Sequence, residues 1–526
     1  MALLSDAPGF VSCLDTPLLR ISPRDLFTLR DACNGVHIFG AIGSGKTSGS
    51  GKALASAYLR AGMGFLVLCA KPEEVALWIK YARENGRARS VVIFDETRGF
   101  NFITYELARQ GWAGLPNVTE CIMRVLEFAD HAMGAGGQAN DPFWPQAVRQ
   151  AINYALPAIY AAWGNVTVAN IIDFVVSAAT KAEQYNDPDF AGQSYAARTL
   201  HKMHHAPAVR MPAAEQRPVL EFWFRQYPAI PEKTRGNVSI SLSAKLDRFR
   251  HGRMRDCFCG HTDIVPEMIL NGAIVIMAMS VLTWNEDGNI GQMIFKYMTQ
   301  RMIESRNGLP PQYRERPVAI WADEAQYFVS VKDDEFLSTC RASRACVVFL
   351  TQTLPAYYAR LGKDRTDAVD GIVGKFNTHI FHLNACNRTN TFASQLIGRG
   401  IQLRSTSGGS FGTNTSRGMA QGTNTNRGTS KNSGASYGPN SGGWNHGDGS
   451  SSGSGDNHGT NVGEGQNEGR SWSAAETMDL LVEPSFFAKE LKSGGPANDN
   501  IVSALWFKTG GSFGGGANAL ITRFRQ

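Results

Sequence analysis

Val36-His37-Ile38-Phe39-Gly40-Ala41-Ile42-Gly43-Ser44-Gly45-Lys46-Thr47 is the stretch on which the fold of this chain turns. The apolar run Val36–Phe39 predicts a buried strand. It ends at Gly40 and enters the spacing G-x-x-x-x-G-K-T, and the small-residue segment Lys52–Arg60 behind it predicts a helix. Strand, glycine loop and helix are the setting in which this spacing cradles phosphate. Glycines let the backbone curl so that successive N–H groups face phosphate oxygens. The helix N-terminus adds partial positive charge beneath them. The binding loop is therefore expected to be Gly40, Ala41, Ile42, Gly43, Ser44, Gly45, Lys46, Thr47 and Ser48. Lys46 would reach the β- and γ-phosphates of ATP, and the Thr47 hydroxyl would hold Mg²⁺.

Working outward, Gly64–Leu68 and Val91–Phe94 read as further strands, with a helix at Val75–Glu84 between them. Apolar runs alternating with helices predict an α/β fold with a mostly parallel, doubly covered sheet. Residues 1–35, broken by Pro8, Pro17 and Pro23, are expected to lead into the first strand as an edge element. From Tyr105 to Gln226 the texture becomes alanine-rich with helical period (Val118–Phe128, Trp144–Ala162, Val168–Ala182), which predicts an inserted all-α domain. Within it Asp141-Pro142-Phe143-Trp144 reads as a helix start with aromatic packing, and His201, His204 and His205 as a solvated face.

Beyond the insertion a helix is expected at Val238–Phe249, strands at Ala273–Met279, Val318–Ala322, Cys346–Leu350 and Phe376–Leu383, and a helix at Ile290–Glu304. The basic run Arg248 to Arg255 suits either a phosphate backbone or a solvated loop. Residues 405–470 hold 18 glycines and one aliphatic Val/Ile/Leu residue, Val462, too little apolar surface to offset ordering entropy. A disordered loop is expected there, followed by a helix near Ala474–Leu481 and strands at Ser503–Phe507 and Leu520–Phe524. The resulting division is 1–104 with 227–404 as the nucleotide-binding domain, 105–226 as the insertion, 405–470 as the loop and 471–526 as the domain's C-terminal part.

The 526 residues are 43% hydrophobic and 19% charged, an ordinary globular composition with room for two or three domains. A net charge of +6 is compatible with a nucleic-acid partner without demanding one. Nine scattered cysteines suit a reducing cytoplasm better than a disulfide framework. The longest apolar runs, Met63–Ala70 and Ala273–Leu282, fall far short of the roughly 20 residues of a spanning helix.

A phosphate loop alone does not say what becomes of the nucleotide. Val318–Ala322 followed by Asp323-Glu324 supplies the second part, because a strand ending in an acid places it at the sheet edge beside the phosphates. Asp323 would hold Mg²⁺ opposite Thr47, and Glu324 would orient the attacking water. Gln352 ends the neighbouring strand and would contact the γ-phosphate or the water. Arg341 and Arg344 precede that strand as candidate arginine fingers toward a neighbouring subunit.

Gly40–Thr47, Asp323-Glu324 and Gln352 resemble the Walker A, Walker B and sensor glutamine of RecA-like pumping ATPases. A finer resemblance is to the coupling proteins of conjugative type IV secretion, of the TraG/TraD kind. It is carried by Arg87–Phe94 with Asn101-Phe102, by Asp141–Trp144, by Glu232-Lys233-Thr234-Arg235, by Thr351-Gln352 through Leu361-Gly362, and by Phe376–Gly398. The resemblance implies a RecA-like P-loop NTPase in a homo-hexameric ring. It implies ATP-driven passage of DNA, single-stranded and relaxase-bound, to the channel proteins of the secretion system. The helical insertion is implied to select substrates. Two features depart from the family: only about 35 residues precede the phosphate loop, where relatives carry transmembrane helices, and the glycine-rich 405–470 segment is foreign to it. A cytoplasmic protein held at the inner face of the membrane through partners is therefore expected. The rival readings are a HerA–FtsK-like translocase on duplex DNA, serving repair, segregation or defence, and a nucleotide-binding docking module that handles only protein.

Overall fold

The computed structural model describes residues 8–132, 143–205, 211–362, 365–418, 427–438, 441–452 and 461–526. They divide into two compact units, Met1–Asn390 with Phe487–Gln526, and Thr391–Phe486.

The first unit opens with β1 (Pro17–Arg20) and β2 (Leu26–Thr28), an antiparallel hairpin closed by Ile21 N–H donating to Asp25 O at 2.9 Å. This corrects the expected edge element: the hairpin is a sheet of its own. The main sheet has nine strands: β3 (Val36–Phe39), β4 (Gly64–Leu68), β5 (Val91–Phe94), β6 (Ile274–Met277), β7 (Val318–Ala322), β8 (Ala345–Thr351), β9 (Thr378–Phe381), β14 (Ile501–Lys508) and β15 (Ala519–Arg525). The remaining strands belong to the second unit. Across the main sheet the order is β15-β14-β9-β3-β8-β7-β4-β6-β5. The run from β9 to β5 is parallel throughout, and β14 and β15 form an antiparallel edge. The fold is thus α/β with a mostly parallel sheet. β3, β4, β6, β7, β8 and β9 are buried at every position, which is why they read as unbroken apolar runs rather than alternating ones.

One face carries the helices Lys52–Arg60 and Glu73–Glu84, whose Tyr58 and Trp78 meet Trp321 of β7 at 6.5 and 5.3 Å between ring centroids. Elsewhere the helix Val281–Ser305 sets Phe295 against Phe94 at 5.5 Å. This helix begins earlier than the expected Ile290–Glu304 and breaks at Asn285, whose φ of 53 lies outside the helical region.

Between β5 and β6 the described residues form helices and no strand, from Phe102–Gln110 to Gly252–Phe258. The helical run passes the expected limit at 226, because Glu232–Leu246 packs on the helices Leu115–Ala132, Phe143–Trp163 and Val168–Ser177. Asp141 and Pro142 lie outside the described residues; the helix begins at Phe143. Trp223 is fully buried here, stacked edge-on to Phe174 at 4.9 Å with its indole N–H on Tyr154 O at 3.0 Å. Trp223→Ala is expected to cost about 3–5 kcal/mol, read as a lower midpoint in chemical denaturation.

The second unit pairs β10 (Arg399–Gly418) with β13 (Asn461–Leu480), and β11 (Arg427–Gly438) with β12 (Ser441–Ser452), both antiparallel. This corrects the expectation of a coil over 405–470 for the described residues; 419–426, 439–440 and 453–460 lie outside them. Ladder hydrogen bonds join main chains, so a stretch without aliphatic side chains can still pair. The helix expected near Ala474–Leu481 is also corrected. Ala474 to Leu480 continue β13, in register with Arg399 to Ser405, so pairing overrides the helix propensity of Ala, Glu, Met and Leu.

Among the described residues no single helix is long and apolar enough to cross a membrane; the apolar pair Pro145–Trp163 and Val168–Ser177 is bent by 111°. All nine cysteines are free thiols.

Candidate functional site

In a parallel sheet every strand delivers its C-terminal end to the same edge. β3 ends in the phosphate loop, β4 in the segment reaching Lys71, β7 in Asp323-Glu324, β8 in Gln352 and β9 in His382. β8 lies between β3 and β7, so the acid pair stands one strand away from the loop and opposite it.

The loop has the shape the spacing requires. Gly43 and Gly45 take φ of +72 and +83, and a Cβ at Gly45 would stand 2.5 Å from a Val502 methyl carbon. The helix behind the loop starts with a wide turn, Thr47–Gly51, closed by Gly51 N–H on Lys46 O at 2.9 Å. Ser48 Oγ accepts from Gln526 Nε2 at 2.7 Å. Beneath the loop His382, fully buried, meets Ser50 Oγ through Nε2 at 2.7 Å. Burial first, then the Lys46 ammonium, push the imidazole down to about 3, so it braces the loop as a neutral ring.

The acid pair closes against this loop. Thr47 Oγ1 donates to Asp323 Oδ2 at 2.6 Å, and Glu324 N–H donates to Asp323 Oδ1 at 2.9 Å. Glu324 adopts φ of 53, a left-handed conformation that turns its side chain back toward the loop. Its carboxylate, 3% exposed, pairs with Lys46 Nζ at 3.6 Å and Lys71 Nζ at 3.0 Å. It also accepts from Gln326 Nε2 at 3.0 Å and from Gln352 Nε2 at 3.1 Å on both oxygens. Burial opposes charge on this group, but Lys46 and the three side-chain donors outweigh it and bring the carboxyl down to about 2. Glu324 is therefore ionised at neutral pH.

The turn after the acid pair is held from below. Lys296 Nζ donates to Phe328 O at 2.7 Å and pairs with Asp333 at 2.5 Å, while Thr351 Oγ1 fixes Gln326 by donating to its amide oxygen at 2.9 Å. The backbone of Gln352 is fixed in turn, its carbonyl accepting from Asn384 Nδ2 at 2.7 Å.

Magnesium and a nucleotide triphosphate fit this edge. A hydroxyl and a carboxylate side by side are hard oxygen donors of the kind Mg²⁺ takes. Ser44 Oγ, 1% exposed, has no hydrogen-bond partner within the loop, as expected of a polar atom placed for phosphate.

Lys46, Thr47, Asp323, Glu324 and Gln352 are thus brought together, and Gly40 to Ser48 form the loop. Arg341 and Arg344 are not brought to it. They precede β8 at the opposite edge of the sheet, where Arg341 is exposed and Arg344 donates to Ser12 O at 2.7 Å and Glu315 O at 3.0 Å. Arg344 thus ties the N-terminal segment to the residues before β7; a finger toward a neighbouring subunit would act at that subunit's site and not at this one. The arginines of the basic run each have an acidic partner within the chain, although Arg253 and Arg255 stay more than half exposed. Arg248 pairs with Glu286 and Asp287, Arg250 with Asp173, Arg253 with Glu96, and Arg255 with Asp256. Sequence reasoning missed Lys71, Gln326, His382 and Asn384. Lys71 and His382 follow strands of the parallel sheet, but nothing beside them in sequence names the partners they meet.

No family model and no curated protein matches this chain. Among solved structures it is similar to the plasmid coupling protein TrwB in complex with the non-hydrolysable ATP analogue ADPNP. The identity is 12% and the TM-score 0.48, over 99% of this chain and 90% of that one. It is similar to TrwB in complex with ADP and Mg²⁺ at 13% identity and TM-score 0.48, over 95% and 86%. It is also similar to VirB4 of Thermoanaerobacter pseudethanolicus at 13% identity and TM-score 0.41, over 76% and 95%.

Proposed function

We propose that this chain is an Mg²⁺-dependent P-loop ATPase that drives DNA, or a relaxase–DNA complex, toward the transfer channel of a conjugative type IV secretion system. The observation that carries the ATPase part is the 2.6 Å bond between Thr47 and Asp323, with Glu324 set between Lys46 and Gln352. Thr47 and Asp323, 276 residues apart, and Gln352, 28 residues beyond Glu324, converge on one edge, which supports nucleotide hydrolysis there. The DNA-transfer part rests on the resemblance of the wider motifs to coupling proteins and on the mild basic charge.

Bound Mg²⁺–ATP would supply the scissile phosphoanhydride and the charge that screens its leaving group. Lys46 and the loop amides hold the phosphates. Thr47 and Asp323 hold the metal. Glu324 orients the water, and Gln352, fixed to Glu324 and through its carbonyl to Asn384, links that carboxylate to the segment after β9. Phosphoryl transfer needs little beyond this positioning and charge neutralisation.

The test is the ATPase rate without nucleic acid, with single-stranded DNA and with duplex DNA, at roughly 50 and 200 mM salt. Stimulation by single strands that weakens at the higher salt is expected. Stimulation by duplex alone would favour a duplex translocase, and a rate indifferent to both would favour a protein-docking module.

A further inference from the structure

The carboxylate of Glu324 is saturated. Ionised, it offers about four acceptor positions. Lys71 and one Gln352 contact occupy Oε1 alongside the longer Lys46 ion pair, and Gln326 and the second Gln352 contact occupy Oε2. A water can be received only if a donor withdraws. The Gln326 amide is fixed by Thr351, the main chain of Gln352 is held by Asn384, and the Lys46 side chain is 8% exposed inside the loop. Lys71 is the donor that opens outward, with its side chain 44% exposed.

Its backbone, by contrast, is preceded by a rigid frame. The buried amide of Gln292 accepts from Cys69 N at 2.8 Å and donates to Cys69 O at 2.9 Å. Ala70 N–H donates to the buried Glu74 at 2.9 Å, and Ala70 O accepts from Leu282 N–H at 3.1 Å. A rigid base carrying one long, half-exposed cation onto a saturated carboxylate has the form of a catch.

We propose that Lys71 is a releasable latch on Glu324, a positioning residue whose ammonium leaves the carboxylate for a nucleic-acid phosphodiester and so opens Glu324 to water. The inference rests on the ATPase reading above and adds its regulation. Lys46 serves the nucleotide from within the loop; Lys71, with its side chain 44% exposed, is the cation open to a phosphodiester.

The experiment compares wild type, Lys71→Ala and Lys71→Arg for kcat and KM of ATP hydrolysis, with and without a synthetic single-stranded oligonucleotide. Lys71→Ala is expected to raise the resting kcat by about two- to fivefold, the worth of a half-exposed ion pair, with KM little changed. Its stimulation by the oligonucleotide should shrink by the same factor. Lys71→Arg should keep both the low resting rate and the stimulation. A resting rate that stays level or falls, a raised KM, or undiminished stimulation in Lys71→Ala would each overturn the latch. If no protein hydrolyses ATP, the latch falls together with the ATPase reading. If the wild type hydrolyses and Lys71→Ala gains nothing, the latch falls alone.

Discussion

Glu324→Gln is expected to bind ATP at least as tightly as the wild type and to hydrolyse it about 10²–10³-fold more slowly. The carboxylate offers acceptor positions only, and donors from Lys71, Gln326 and Gln352 occupy them. An amide of the same shape keeps one oxygen and turns its NH₂ toward donors, so at least one of those contacts becomes repulsive. Orientation of the water is lost with them. Binding moves the other way. Lys46 and Lys71 lose their shared counter-ion, and the unpaired positive charge favours the polyphosphate. Lys46→Ala is the contrasting variant: it removes the amine that would bridge the phosphates and should weaken binding as well as turnover. Titration with a fluorescent ATP analogue and single-turnover hydrolysis separate the two effects. A Glu324→Gln protein that turns over at more than about a tenth of the wild-type rate would remove Glu324 from its proposed role.

The sheet was legible because burial on both faces forces unbroken apolar runs, and such runs are visible without a partner. Val36–Phe39, Gly64–Leu68, Val91–Phe94 and Val318–Ala322 were readable to the residue. That Lys46, Thr47, Asp323 and Glu324 meet at one edge was legible because each follows the end of a strand at a fixed short spacing. Lys71 was not, since nothing near Lys71-Pro72 in sequence points to a carboxylate 253 residues away; only strand order brings them together. His382 was hidden in the same way, as one more buried residue past an apolar strand. The anchoring of Arg344 was not legible, because nothing beside it in sequence names Ser12 O and Glu315 O as its acceptors. The Ala474–Leu481 stretch shows the limit of propensity: strand pairing across some 80 residues of chain outweighs it.

Lys296→Met is expected to cost about 3–5 kcal/mol of stability and to lower turnover with it. Lys296 and Asp333 are 1% and 2% exposed, so neither charge can fall back on solvent. Without the amine, Asp333 keeps only Gln300 Nε2 at 2.8 Å, Ser330 N–H at 2.8 Å and the Ser330 hydroxyl at 3.3 Å, all neutral donors. Phe328 O loses its donor as well, and that carbonyl belongs to the turn following Asp323-Glu324. The same amine therefore holds a buried carboxylate and the turn behind the proposed water-orienting group. Adding Asp333→Leu separates the two effects. Removing the stranded charge should restore much of the stability, short of about 1 kcal/mol for the lost cap on the helix Val331–Thr339. It restores no donor to Phe328 O, so turnover should remain low. Denaturant midpoints and ATPase rates on the single and double variants decide the matter. A double variant that recovers stability and activity together would show that Lys296 acts through global stability alone.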